Sequence, residues 1–220
     1  MKERIKTFFR RNYFLYIAAC SFRKLFCNLR AGIEIQNYGC ARIKKDAVGD
    51  NNVLNIGKNS IIHKLNLYIR GNRVNIEIGK DVIIGKRCSI RCEGDNIRIV
   101  IGDNTTMTRD VHICAQENGT SIELGKNCML SNNIIIRTSD SHPIYDDKGE
   151  RLNPPQNVRI GNHVWIAPES TILKGVTVED NAIIGSKSLV TKDVLESTLV
   201  AGIPAKVVRE KIQWSRENLF

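Results

Sequence analysis

From residue 54 to residue 209 the chain repeats one short phrase: an aliphatic residue, a glycine, polar residues, then a small residue. Ile56-Gly57-Lys58-Asn59-Ser60, Ile84-Gly85-Lys86-Arg87-Cys88, Ile101-Gly102-Asp103-Asn104-Thr105 and Ile184-Gly185-Ser186-Lys187-Ser188 are four of its copies. A unit of about six residues is too short for a helix or a hairpin. It predicts one flat face of a three-sided parallel β-helix with about eighteen residues to a coil. The aliphatic residue points inward, the small residue fills the crowded corner, and Gly or Asn between them supplies the positive φ of a tight turn.

A longer period overlies the short one. The tetrads ending in Gly57, Gly79, Gly102, Gly125 and Gly161 place these glycines 22, 23, 23 and 36 residues apart. The first coils therefore carry about five residues beyond a plain coil. The extra residues fall in polar stretches, Arg70-Gly71-Asn72-Arg73, Glu93-Gly94-Asp95-Asn96 and Gln116-Glu117-Asn118-Gly119, whose common phase predicts that they stack along one edge. The last gap predicts a much longer loop over residues 137–157, containing Ser139-Asp140-Ser141-His142-Pro143. Long loops on rigid scaffolds are where chemistry concentrates.

Composition narrows the function classes. The 220 residues are 42% hydrophobic and carry a net charge of +10. Residues 1–30 hold eight Lys or Arg against one acid, Glu3, so most of the excess is local and the body shows no basic stripe for nucleic acid. The seven cysteines follow no metal spacing. Cys88 and Cys128 take the small-residue position and Cys114 lies in an apolar stretch, so packing is the expected role and a reducing, cytoplasmic compartment the expected setting. Residues 1–32 are predicted to form a basic amphipathic helix that caps the prism, or lies on the inner face of an anionic membrane through residues 1–30. Its apolar run Tyr13–Cys20 is too short to span a bilayer, which needs about 20 residues.

Three stretches carry a family resemblance: Ser139-Asp140-Ser141-His142-Pro143, then Arg159-Ile160-Gly161-Asn162-His163-Val164-Trp165-Ile166-Ala167, then Ile184–Asp193 with Ala201-Gly202-Ile203-Pro204-Ala205-Lys206-Val207-Val208-Arg209. In that order they resemble the hexapeptide-repeat acyltransferases, specifically the acetyl-CoA-dependent sugar and polysaccharide O-acetyltransferases. The resemblance implies an all-β, left-handed parallel β-helix over residues 33–204, with a short C-terminal helix over 205–220. It also implies a homotrimer, acetyl-CoA as co-substrate, a saccharide or polysaccharide acceptor, and no metal. His142 is the implied general base. Attack on a thioester by a sugar hydroxyl needs one, and an imidazole with an ordinary pKa of about 6.5 can serve. Asp140 is the candidate to orient it, with Asp146, Asp147 or a backbone carbonyl as alternatives. Trp165 matches a wall of the family's site, or else packs between subunits. Ser186, Lys192, Gly202, Pro204, Lys206 and Arg209 match the positions that hold the cofactor. One departure stands out: galactoside-type relatives place an acceptor-contacting Asn one coil before the base, where this chain offers His112.

Two other readings compete. N-acetylation of a nucleotide-linked amino sugar would use the same base and cofactor, but residues 1–50 lack the strand and Gly-rich turn of a nucleotide domain. A metal-dependent β-helix would need three convergent His, and His63, His112, His142 and His163 are widely spaced. A catalytically silent scaffold is at odds with the retained cofactor motif.

Overall fold

The computed structural model describes residues 32–217 together with residue 219. The predicted N-terminal helix lies outside the described residues. What is described is a parallel β-helix of nineteen short strands with no helix among them. One face is a sheet that climbs through Glu34–Asn37, Val53–Ile56, Asn75–Ile78, Arg98–Ile101, Ser121–Leu124, Val158–Ile160 and Thr177–Val178. The other two faces are joined in a twelve-stranded path because several strands bend around the corner between them.

The register explains why the repeat folds this way. Leu54 pairs with Ile76, Ile76 with Ile99, Ile99 with Ile122 and Ile122 with Val158, all in parallel. Every one of these side chains is buried, as are Ile56, Ile78, Ile101, Leu124 and Ile160 two residues on. Alternation puts like on like through the core, and the outward residues stay polar. The corner residues Ser60 and Thr105 are fully buried too. The Ser60 hydroxyl donates to the Gly79 carbonyl at 2.7 Å, and that of Thr105 to the Gly125 carbonyl at 2.9 Å, so no polar atom there is wasted.

Glycine and asparagine divide the work of the corner differently from the sequence expectation. The left-handed backbone falls on Asn59, Asp81, Asn104 and Asn127, with φ of 56–61°. Gly57, Gly79, Gly102 and Gly125 have no such φ. They are needed for close approach: a Cβ on Gly102 would stand 2.5 Å from the carbonyl of Gly125 in the next coil.

The extra residues of the early coils do not protrude as loops. They lengthen one face, so that Leu65–Arg70, Cys88–Glu93 and Thr106–Gln116 run in register along it. Each long coil gains one more inward residue, Ile69, Cys92 and Ala115 in turn, ending at the buried Thr138. Side-chain size falls from Ile69 through Cys92 to Ala115, and the wide prism closes to the narrow coils beyond residue 158. The polar turns do stack along one edge, as expected. The Asp50 amide donates to Asn72, the Asn72 amide to Asp95, and the Asp95 amide to Asn118.

Two expectations need correction. The described residues beyond 204 form no helix: Ala205–Arg209 is a strand that pairs antiparallel with Leu199–Gly202, so that Gly202 faces Ala205 and Ala201 faces Lys206. The β-branched pair Val207-Val208 and the open edge of the last coil favour a strand there. The tail then straps back over earlier coils, with the Arg216 guanidinium donating to the carbonyls of Asn104, Asn127 and Cys128. Cysteine roles also differ. Cys88, Cys92 and Cys128 are buried as packing residues, but Cys40 is disulfide-bonded and Cys114 points outward between inward Ile113 and Ala115.

Candidate active site

The site sits at the step where the wide face ends. Strand Met129–Arg137 is the last long strand on that face, which the short Thr171–Ile172 and Leu189–Val190 continue, and the chain leaves the prism at Thr138. Three outward columns meet there: Ser89, His112 and Ile135; Arg91, Cys114 and Arg137; Glu93 and Gln116. With Ser141 and His142 from the loop they line a groove of about 680 Å³.

Ser139-Asp140-Ser141 makes the turn that delivers His142. Ser141 has a φ of 69°, unusual for a residue with a Cβ. Three hydrogen bonds hold it: its amide to Ser139 Oγ, its hydroxyl from Arg137 Nη2, and its hydroxyl to Gln116 Oε1, each 2.9 Å. Gln116 Nε2 donates in turn to Glu93 at 2.6 Å, and Glu93 accepts from Arg91 at 2.6 Å. The Arg91 hydrogen bond draws the Glu93 carboxyl below its ordinary pKa against the opposing effect of burial, with help from Gln116. Burial raises the Cys114 thiol, opposed by Arg137 and Arg91.

The rest of the loop is a braced excursion. Tyr145 and Arg151 form an antiparallel bridge, and Asp146 Oδ1 accepts the amides of Lys148 and Glu150. Arg151 clamps Glu117 in two hydrogen bonds of 2.6 and 2.8 Å. Lys174, from the next coil, donates to Asp140 Oδ2 at 2.6 Å. Both carboxyls are held below their ordinary range, Glu117 first by Arg151 and Asp140 first by Lys174.

The sequence candidates are distributed unevenly over this geometry. His142 stands in the groove with His112. The Asp140 carboxylate is engaged by Lys174 and by Asn153 Nδ2, which also donates to the His142 backbone carbonyl at 2.9 Å. It thus supports the loop backbone beneath His142, and no hydrogen bond joins it to the ring. Trp165 lies on a different face of the same chain, in register with Met129 and Ile183. Its ring centroid is 5.9 Å from that of Trp214, which stacks on His163 at 4.0 Å. Asp146 and Asp147 belong to the loop tip. Ser186 and Lys192 sit at exposed corners of the last coils, Gly202 and Pro204 form the turn of the C-terminal hairpin, and Lys206 and Arg209 are exposed on its second strand. Among the described residues Lys192, Lys206 and Arg209 form no ion pair, which leaves their charges available. No three or more His, Cys, Asp or Glu side chains among the described residues are grouped to hold a metal.

The columns contain residues that the sequence did not single out: Ser89, Arg91, Glu93, Gln116 and Arg137, with Lys174 and Asn153 beneath the loop. The 23-residue spacing was the available signal, since it separates Ser89 from His112 and links Gln116 to Glu93.

Comparison with known proteins agrees with this architecture. Residues 157–192 match the family described as bacterial transferase hexapeptide (six repeats), and residues 117–137 match the hexapeptide repeat of succinyl-transferase. The chain is 39% identical to a polysialic acid O-acetyltransferase of Neisseria meningitidis, over 77% of this chain and 78% of that protein. It is 32% identical to a polysialic acid O-acetyltransferase of Escherichia coli O1:K1, over 55% of this chain and 39% of that protein. The solved structure of the polysialic acid O-acetyltransferase OatWY superposes with a TM-score of 0.65 at 33% identity, covering 84% of this chain and 92% of the other. Repeat, coil geometry and kinship together place this chain in the hexapeptide-repeat acyltransferase family, among its acetyltransferases.

Proposed function

We propose that the protein is an O-acetyltransferase that moves an acetyl group from acetyl-CoA to a hydroxyl of a polysaccharide or its sugar precursor. The observation that carries this reading is His142, held by the strained Ser141 turn in a groove at the edge of the widened face. The acceptor hydroxyl oxygen attacks the thioester carbonyl carbon while the His142 imidazole takes its proton. The tetrahedral intermediate then collapses with cleavage of the C–S bond. The imidazolium returns the proton to the departing sulfur, leaving an ester and free CoA thiol. General-base assistance of this kind contributes about 10²–10⁴ in rate.

The names of the relatives, polysialic acid O-acetyltransferases, support a polymeric saccharide acceptor for this chain. Acetyl-CoA would bring phosphates to Lys192, Lys206 and Arg209, whose charges are free of ion pairs among the described residues. The hairpin bearing Lys206 and Arg209 continues the face of Trp165, and the groove lies on another face. That separation favours a homotrimer in which the hairpin of one copy serves the groove of the next.

Purified protein given acetyl-labelled acetyl-CoA and a panel of bacterial polysaccharides, polysialic acid among them, tests the reading. Label should appear on a polysaccharide and be released by mild alkali, as an ester is. Label that resists alkali would indicate an amide and favour amino-sugar acetylation. No transfer to any saccharide would count against the proposal.

A further inference from the structure

His142 belongs to no strand: the chain between Met129–Arg137 and Val158–Ile160 is loop. Pro143, next to it, has no N–H to offer a neighbour. One side chain takes hold of the backbone here. Asn153 Nδ2 donates to the His142 carbonyl at 2.9 Å, and Asn153 Oδ1 accepts the Ile144 amide at 2.7 Å. A carbonyl and the amide two residues on are the groups that a parallel neighbour strand would engage through one residue. The Asn153 carboxamide therefore stands in for a residue of a missing strand.

Its orientation is dictated by its partners. The second Nδ2 hydrogen goes to Asp140 Oδ2 at 3.0 Å, and Lys174 Nζ holds that same oxygen at 2.6 Å. Turned over, the carboxamide would set its oxygen against a carboxylate and a carbonyl, and its N–H against the Ile144 N–H. Asn153 is only 7% exposed, so water is a poor substitute for these bonds. Lys174 also donates to the Pro154 carbonyl at 3.1 Å, which ties the chain beside Asn153 to the next coil.

We propose that Asn153 is a positioning residue for acetyl transfer, fixing the backbone on both sides of Pro143 and with it the direction from which the His142 ring enters the groove. The Ser141 turn holds the chain before His142, and Asn153 holds it after. An exposed loop histidine is thereby set in place through its backbone. The polar chain from Lys174 through Asp140 and Asn153 ends on the His142 carbonyl, and among the described residues the ring itself makes no hydrogen bond. Asn153 acts through His142 alone.

The kinetic half of this inference rests on the acetyl-transfer reading, while the positional half does not. With acetyl-CoA and polysialic acid as substrates, Asn153→Ala should lower kcat about 10–100-fold, the effect of a misplaced base, and leave both KM values within about two-fold of wild type. Asn153→Asp, of the same size, turns an oxygen toward Asp140 and the His142 carbonyl and should lose at least as much. NMR of ¹³C-histidine-labelled protein should show the His142 ring signal moving toward that of an unstructured peptide in both variants, with the signal of His112, on its rigid strand, unmoved. A kcat within about two-fold of wild type, or a stationary His142 signal, would overturn the inference. So would a rise in both KM values accompanied by a shifted His112 signal, which would make Asn153 a support of the groove as a whole. Absence of transfer by the wild-type protein, with the His142 signal still displaced in the variants, would instead sink the acetyl-transfer reading and leave the positional result standing.

Discussion

The Thr138 hydroxyl accepts the Gln116 amide at 2.9 Å and donates to the Gln116 carbonyl at 3.0 Å. This reciprocal pair closes the widened face at the residue where the catalytic loop begins. Thr138 is fully buried, so the hydroxyl has no access to water as a substitute. Thr138→Val keeps the shape and strands the Gln116 amide, while the Gln116 carbonyl retains the Thr120 hydroxyl. The expected cost is about 1–3 kcal/mol of stability, read from denaturant unfolding, together with reduced activity because the Ser141 turn hangs from the same Gln116. A variant as stable as wild type would show that the pair does not hold the step.

Acid should loosen the loop before it unfolds the prism. Glu117 and Asp140 both titrate below their ordinary values because Arg151 and Lys174 hydrogen-bond their charged forms. A depressed carboxyl contributes stability above its unfolded pKa, here about 4–4.5, and loses it as pH falls through the lowered folded value. Hydrogen exchange of residues 144–152 should therefore be slow at about pH 6 and accelerate, relative to the core strands, below about pH 4.5. Protection that grows as the pH falls would contradict these clamps.

Two glycines predict opposite tolerance. A Cβ at Gly102 meets the Gly125 backbone at 2.5 Å, whereas one at Gly119 meets nothing within 4 Å. Gly102→Ala should cost at least about 2 kcal/mol, because two coils must separate. Gly119→Ala, strained only by its φ of 73°, should cost about 1 kcal/mol. Thermal unfolding of the pair checks the order, and equal losses would mean that the coils are not packed as closely as described.

The C-terminal hairpin should matter to the cofactor and not to proton transfer. Lys206→Ala and Arg209→Ala are each expected to raise the KM for acetyl-CoA several-fold, a loss of about 1 kcal/mol or somewhat more apiece, with kcat little changed. Lys192→Ala should behave alike. A loss confined to kcat in these variants would remove them from the cofactor site.

How much of this could be read from residue order depends on the range of the interaction. The coils were legible because each inward position must be aliphatic, so Leu54, Ile76, Ile99 and Ile122 announce their own stacking. The loop was legible because 36 residues replaced 23 between successive glycines. The groove wall was harder, since Ser89, His112 and Ile135 become neighbours only through parallel register. Their side chains carry no motif of their own. Asp140 shows the same limit. Proximity in sequence to His142 suggested contact with its ring, but Lys174, 34 residues away, lies 2.6 Å from its carboxylate. The C-terminal segment was misjudged because the helix expected there came with the resemblance, while the unpaired edge of the last coil, invisible in sequence, recruits Ala205–Arg209 as a strand.

The measurement that bears most directly on the central claim is the single-turnover transfer of acetyl from acetyl-CoA to polysaccharide by His142→Ala, alongside a titration of its acetyl-CoA affinity. The account predicts a rate lower by about 10²–10⁴ with cofactor affinity nearly intact. Transfer at the wild-type rate would contradict it.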